Sequence, residues 1–173
     1  VLLSCMAIPD SIHGAGGCCY CIRHDNHTEL MRSIDRSALV PYSAEIVFDV
    51  VNDVESYPSF LPWCSGSEVL CRSTHEVVAK LYISGVGIQK SFTTRNRLYS
   101  PVRIDLALVE GPFTGLDGSW LFTPISDVGC KIEMSLTFEL DSSLLNAAFA
   151  KVFNPAADKL VDAFCGRVEQ LHG

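Results

Sequence analysis

The sequence predicts an α+β domain: a curved antiparallel sheet of seven strands wrapped around a long C-terminal helix, with two short helices after the first strand. Three observations predict it. Successive segments in the second half of the chain alternate apolar and polar residues with a period of two, the pattern of strands with one buried and one wet face. That pattern belongs to antiparallel sheets. The last segment instead repeats apolar residues at spacings of three and four, the stripe of an amphipathic helix. Between the first helix and the strands, residues 48–66 carry Tyr57, Phe60 and Trp63, punctuated by Pro58 and Pro62. Proline cannot continue a helix and pushes its predecessor toward extended geometry. A connector so stiff and so apolar has to cover something.

The 173 residues suffice for one domain with a sizeable core. With 48% apolar and 19% charged residues the chain is globular. A net charge of −7 argues against binding nucleic acid through bulk electrostatics, and no DNA partner is expected. No apolar run approaches the ~20 residues that span a bilayer. Residues 1–3 are apolar but lack a positive flank, so a secretory signal is not expected. Of the eight cysteines, Cys5, Cys18, Cys19 and Cys21 crowd the start, while Cys64, Cys71, Cys130 and Cys165 are scattered. The scattered set reads as thiols of a reducing compartment, which places the protein in the cytoplasm.

Residues 1–30 show neither periodicity and read as a disordered or upstream extension. His13, Cys18, Cys19, Cys21, His24 and His27 crowd together there without the pair-and-pair spacing of a structural zinc module, so no metal is expected. Residues 31–173 form the single domain. Its charge is −5: 12 basic residues (13 less Arg23) against 17 acidic (20 less Asp10, Asp25 and Glu29). Residues 33–40 read as the first strand, ended by Pro41. Ser43 is an N-cap, Glu45 sits in the first turn, and Ile46, Val47, Val50 and Val51 share one side of the helix. The second strand lies near 68–72.

The third strand places Val77, Ala79, Leu81 and Ile83 on one face, and the fourth Phe92, Thr94, Asn96 and Leu98. Ile104, Leu106 and Leu108 follow on the fifth, and Leu116, Gly118, Trp120 and Phe122 on the sixth. On the seventh, Cys130, Ile132, Met134, Leu136, Phe138 and Leu140 oppose Lys131, Glu133, Ser135, Thr137 and Glu139. Turn residues at 84–87, 99–102 and 126–129 mark hairpins. The final helix starts near 143, capped by Asp141 or Ser142. It carries Leu145, Phe149, Val152, Phe153, Ala156, Leu160, Phe164, Val168 and Leu171, with a kink expected at 151–155 from Pro155.

A helix touches a curved sheet along a line and leaves a gap, which the connector closes. The gap would be an apolar pocket lined by Phe92, Leu106, Trp120, Phe122, Met134 and Phe138 from the sheet and by Phe149 and Phe153 from the helix. Tyr57, Phe60 and Trp63 would cover it. For each residue taken singly, the plain alternative is a place in the core. Asn96, Arg95, Glu110 and the Tyr57 hydroxyl are candidates to orient a polar head. Phe113, behind the rigid Glu110-Gly111-Pro112 bend, is either a gate or a turn residue packed on the helix.

Residues 36–45 (RSALVPYSAE), 48–70 (FDVVNDVESYPSFLPWCSGSEVL), 90–98 (KSFTTRNRL) and 108–124 (LVEGPFTGLDGSWLFTP) resemble the START-like family that includes the coenzyme Q-binding proteins. Its bacterial branch carries the names ribosome association toxin RatA and, more loosely, polyketide cyclase. The resemblance spans about 33–171 and implies a helix-grip fold. It implies a hydrophobic tunnel for ubiquinone or another polyisoprenoid lipid, serving respiratory electron transport with no required cofactor. A cytoplasmic protein with transient contact at the inner membrane surface would fit that role. The branch name implies the alternative, a toxin that binds the large ribosomal subunit and blocks subunit joining. Lys80, Lys90, Arg95 and Arg97 would make that contact, with Arg103 and Lys131 nearby. The opposing reading is a solvated face balanced by Asp105, Asp117, Glu133 and Glu139.

A cyclase-type enzyme is the third reading, and the residues argue against it. His75 falls in a turn and His172 at the C-terminus, neither placed as a pocket base. Cys64 beside Trp63 has no histidine near it in the pattern and reads as a packed thiol. No catalytic residue is expected.

Overall fold

The computed structural model describes residues 30–85, 87–126, 129–140 and 144–173. The readings of residues 1–29 and of the Asp141 or Ser142 cap fall outside these. The strands are β1 (Leu30–Val40), β2 (Cys64–Arg72), β3 (Glu76–Gly85), β4 (Ile88–Tyr99), β5 (Arg103–Glu110), β6 (Phe113–Ser126) and β7 (Gly129–Leu140). Helix α1 (Ala44–Asn52) and a 3-10 turn (Val54–Ser59) separate β1 from β2, and α2 (Leu144–Asp158) and α3 (Leu160–His172) close the chain.

All seven strands form one antiparallel sheet in the order β1-β7-β6-β5-β4-β3-β2. The predicted faces hold. Val77, Ala79, Ile83, Phe92, Leu98, Ile104, Trp120, Phe122, Ile132, Leu136 and Phe138 are all buried on the inner face, under the helices. Register carries the alternation across the sheet, since directly opposed residues point the same way. Ser43 caps α1 by accepting the Ile46 N–H at 3.5 Å. The second strand is longer than 68–72, starting at the buried Cys64.

The helix differs from expectation in where it breaks. Pro155 sits inside α2, exposed along with Lys151, so the carbonyl it leaves unbonded can face water. The break comes at Lys159, with φ −106° and ψ 6°, where the Lys159 N–H reaches back to the Ala156 carbonyl in a tightened turn. Just before it, Asp158 accepts from Arg32 at 2.5 Å and from Arg36 at 3.0 Å, both on β1. Two arginines at the C-terminal end of α2 pin it to the edge strand, and α3 continues from there.

Candidate functional site

Rings from the sheet and helices form two clusters under the helices. In the first, Phe153 of α2 meets Phe113, Phe138, Phe149 and Phe92 at centroid distances of 5.0, 5.0, 5.4 and 6.0 Å. In the second, Phe164 of α3 meets Trp120, Tyr57 and Phe60 at 5.1, 5.2 and 5.3 Å. The edge-to-face geometry of most of these pairs is the favoured one for aromatic quadrupoles. Between the clusters remains a cavity of about 80 Å³. Phe92, Leu106, Trp120, Tyr57, Trp63 and Phe153 line it, as expected from the sequence. Val54, Ala79, Leu81, Thr94, Leu116, Leu136, Leu160 and Phe164 complete the wall.

The other predicted lining residues lie elsewhere. Phe122 shares the inner face but sits further along its strand, packed on Phe48 of α1 at 5.6 Å. Met134, Phe138 and Phe149 are buried in the core beside the cavity without opening onto it. Phe113 is likewise enclosed, against Phe149 at 5.3 Å, so the turn residue packs on the helix and does not gate. Phe60 packs edge-to-face outside Phe164 and is capped by the Arg167 guanidinium at 5.4 Å.

Of the polar candidates, Asn96 alone enters the cavity. It is 7% exposed and its Oδ1 has no hydrogen-bond partner among the described residues. Arg95 pairs with Glu76 at 3.4 Å, and Glu110 accepts from Thr93 at 3.1 Å and lies 3.5 Å from Lys80. The Tyr57 hydroxyl is committed, donating to the Val51 carbonyl at 2.5 Å. Tyr57 is half-buried as a residue, but its hydroxyl end is enclosed. That burial pushes the phenol well above its ordinary value, with the Cys64 and Asp53 side chains adding to it. An unfolded tyrosine ionises near pH ~10. The fold's contribution from neutral Tyr57 is therefore complete below about pH 10 and is lost as pH rises beyond it. Urea denaturation should show wild type losing ~1 kcal/mol per pH unit above pH ~10, a slope that Tyr57→Phe largely removes. At neutral pH the same variant should cost ~1 kcal/mol for the lost bond to Val51. Equal alkaline slopes in both proteins would rule this out.

Cys64 is buried, donates weakly to the Gly66 carbonyl at 3.2 Å, and burial pushes its thiol up. A thiol so placed is a poor nucleophile at neutral pH. His75 is exposed, and His172 lies against Tyr42 at 6.3 Å.

The outer face of the sheet carries the other candidates. Arg95, Arg97 and Arg103 rim a shallow depression of about 490 Å³, floored by Ala107, Ser119, Ser135 and Thr137. Arg103 pairs with Asp105 at 2.5 Å, and Lys131 with Glu133 at 2.7 Å. Lys80 lies a strand away, bonded to Glu110. Lys90 leaves the group: it opposes the buried Ile83 across β3 and β4, so it points toward the helix side. The balanced, solvated face expected as the plain alternative thus describes most of these charges. Arg97 has no ion pair among the described residues.

Residues 40–165 match the family model described as polyketide cyclase / dehydrase and lipid transport. The chain belongs to that START-like family. The ribosome association toxin RatA of Vibrio cholerae is 48% identical over 143 residues, 83% of this chain and 99% of that protein. The mitochondrial coenzyme Q-binding protein COQ10 of Drosophila melanogaster is more distant, at 27% over 143 residues, 80% of this chain and 59% of its own. The Zhui aromatase/cyclase from Streptomyces sp. R1128 superposes with a TM-score of 0.70 at 18% identity, covering 81% of this chain and 94% of that one. At that identity the likeness shows the fold alone. The START-like helix grip expected from the sequence is therefore present. Eight of the residues lining its cavity escaped the sequence reading, Leu160 and Phe164 among them, although both stand in the helical stripe. Asn96 was one of the polar candidates, in register with Phe92, Thr94 and Leu98 on the inner face of β4.

Proposed function

We propose that this protein is a ribosome-associating toxin of the RatA kind, which binds the large subunit and blocks subunit joining. One observation carries the reading: 48% identity to Vibrio cholerae RatA over 99% of that protein. The surface is compatible with it. Two of the three arginines of the outer depression are paired, yet Arg95 and Arg103 keep about half of their side-chain surface exposed. Exposed ion pairs are worth only ~0–1 kcal/mol, so RNA phosphates can replace the carboxylates at little cost. The reading implies a cytoplasmic protein. Among the described residues no helix is long and apolar enough to cross a membrane.

Sedimentation with separated subunits tests this. The protein should travel with the large subunit at low salt and leave it as salt rises. Arg95→Glu with Arg97→Glu and Arg103→Glu should weaken association about ten-fold or more and flatten the salt dependence. A protein that stays at the top of the gradient at low salt overturns the proposal. Loss of binding in the triple variant with an unchanged salt slope would move the contact away from this face.

The buried cavity favours a second reading, the non-enzymatic holding of a small apolar ligand. Its form with ubiquinone and a respiratory role rests on the 27% identical relative. Size bears on it: a benzene ring occupies a cavity of ~150 Å³, larger than the 80 Å³ present. A ring enters only if part of the wall moves. Organic extraction of the purified protein and mass spectrometry would show a near-stoichiometric quinone if this form is right, and none if it is wrong.

A further inference from the structure

The part of the wall free to move is Trp63. Its ring lines the internal cavity and also an outer apolar groove of about 490 Å³ on the other side. That groove runs along Pro62, Val152, Pro155, Ala156 and Ala163, beside the break between α2 and α3. The backbone at this point is fixed. The Trp63 carbonyl accepts from the Ser84 N–H at 3.1 Å, and the Cys64 N–H bonds the Leu61 carbonyl at 2.9 Å. The indole itself is held by no hydrogen bond among the described residues, and Trp63 is half-buried. Rotation of one side chain would therefore join cavity to groove without moving the chain.

At the inner end stands Asn96, nine-tenths buried with an Oδ1 that has no partner among the described residues, and Thr94 beside it is 6% exposed. Buried polar atoms are nearly always bonded, and an exception marks a missing partner. Apart from these two, the indole N–H groups of Trp63 and Trp120, and Tyr57, whose hydroxyl is taken by Val51, the wall is apolar.

We infer that Trp63 is the gate of an amphipathic ligand site. The head of the ligand donates a hydrogen bond to Asn96 in the cavity, and its apolar tail leaves past the displaced indole into the Pro62–Pro155 groove. The inference rests on the apolar-ligand reading above and is independent of ribosome association. It assigns a ligand class: a small ring or chain head bearing a hydroxyl or N–H, with a single flexible tail. A molecule without a donor leaves the Asn96 oxygen unpaired and is selected against.

Two probes separate these statements, para-octylphenol and octylbenzene, which differ by the hydroxyl alone. Both tryptophans line the cavity, so intrinsic fluorescence reports binding to the full chain, and Trp120 continues to report when Trp63 is replaced. Wild type should bind para-octylphenol about ten-fold more tightly than octylbenzene. Asn96→Leu should erase that preference while leaving octylbenzene affinity unchanged or improved. Trp63→Ala should speed association of both probes about ten-fold in stopped flow. Equal affinity for the two probes in wild type overturns the assignment of Asn96 without needing the variant to fold. Unchanged association rates in Trp63→Ala overturn the gate. If wild type takes up neither probe, the apolar-ligand reading fails together with the inference.

Discussion

Phe153→Ala should lower stability by about 3–5 kcal/mol, the usual cost of emptying a buried phenylalanine site. Phe153 is 4% exposed and touches four other rings at 5.0 to 6.0 Å, from β4, β6, β7 and its own helix. Phe113 meets the other three rings as well, at 5.5, 6.1 and 5.3 Å, but it already fills its own site on β6 and cannot also fill the vacancy. The neighbours would lose edge-to-face contacts as well as buried area. The hole would also open into the existing cavity between the clusters, which Phe153 already lines. Domains of this size hold ~5–15 kcal/mol in total, so the variant sits near the margin. At ~2–4 °C per kcal/mol the midpoint should fall by about 10 °C. Thermal and urea melts followed by circular dichroism measure it, and Phe153→Leu should recover most of the loss. A fall under ~1 kcal/mol would mean that the first ring cluster contributes little.

Gly111→Ala should be nearly as damaging, by about 2–4 kcal/mol, through a different mechanism. Gly111 holds φ +156°, where side chains are rarely accommodated. A methyl group there would also lie 2.6 Å from the Phe92 Cβ and 3.2 Å from its Cα. The turn must then move away from β4, taking Phe113 out of its ring cluster and displacing Phe92 from the cavity wall. Gly87 provides the control. It too has a positive φ, +76°, but open space where a Cβ would be. Gly87→Ala should cost only the backbone part, ~1–2 kcal/mol. The difference between the two variants in urea midpoint isolates the collision with Phe92. If both cost the same, the contact is relieved without loss.

Much of this fold was legible because strand alternation is a local property. Lys131 and Ile132 differ in polarity, and so the faces of β7 could be read without its partners. The cavity was only half legible for the same reason. Periodicity says that Phe122 and Met134 face inward, but not how far along the sheet a helix covers them. Phe122 meets α1, whereas Trp120, two residues earlier, meets α3. Position along a strand depends on where the helices cross, and that is a tertiary fact. The helix break shows the limit more sharply. Pro155 is visible in the sequence and suggested a kink at 151–155. The break falls at Lys159, one turn on, next to an Asp158 held by Arg32 and Arg36 from the far end of the chain. No local pattern ties those three residues together. The outer arginines pose the opposite case: their type and face were plain, but the pairing of Arg95 with Glu76 follows from cross-strand register.

That pairing of distant segments has a bearing on how the protein is made. Strands β2 to β7 are laid down as a simple meander, each beside its predecessor. β1 is the exception, since its partner is the last strand, with Leu30 opposite Leu140 and Val40 opposite Cys130. A chain emerging from the ribosome must hold its first strand unpaired until nearly all the others have left the tunnel. Closing so long a loop is entropically expensive, and folds dominated by such contacts mature slowly. Newly made copies would then pass through an interval with an unmated edge and no helix to grip. If the mature domain does act on ribosomes, each copy becomes competent only after this first-to-last pairing has closed.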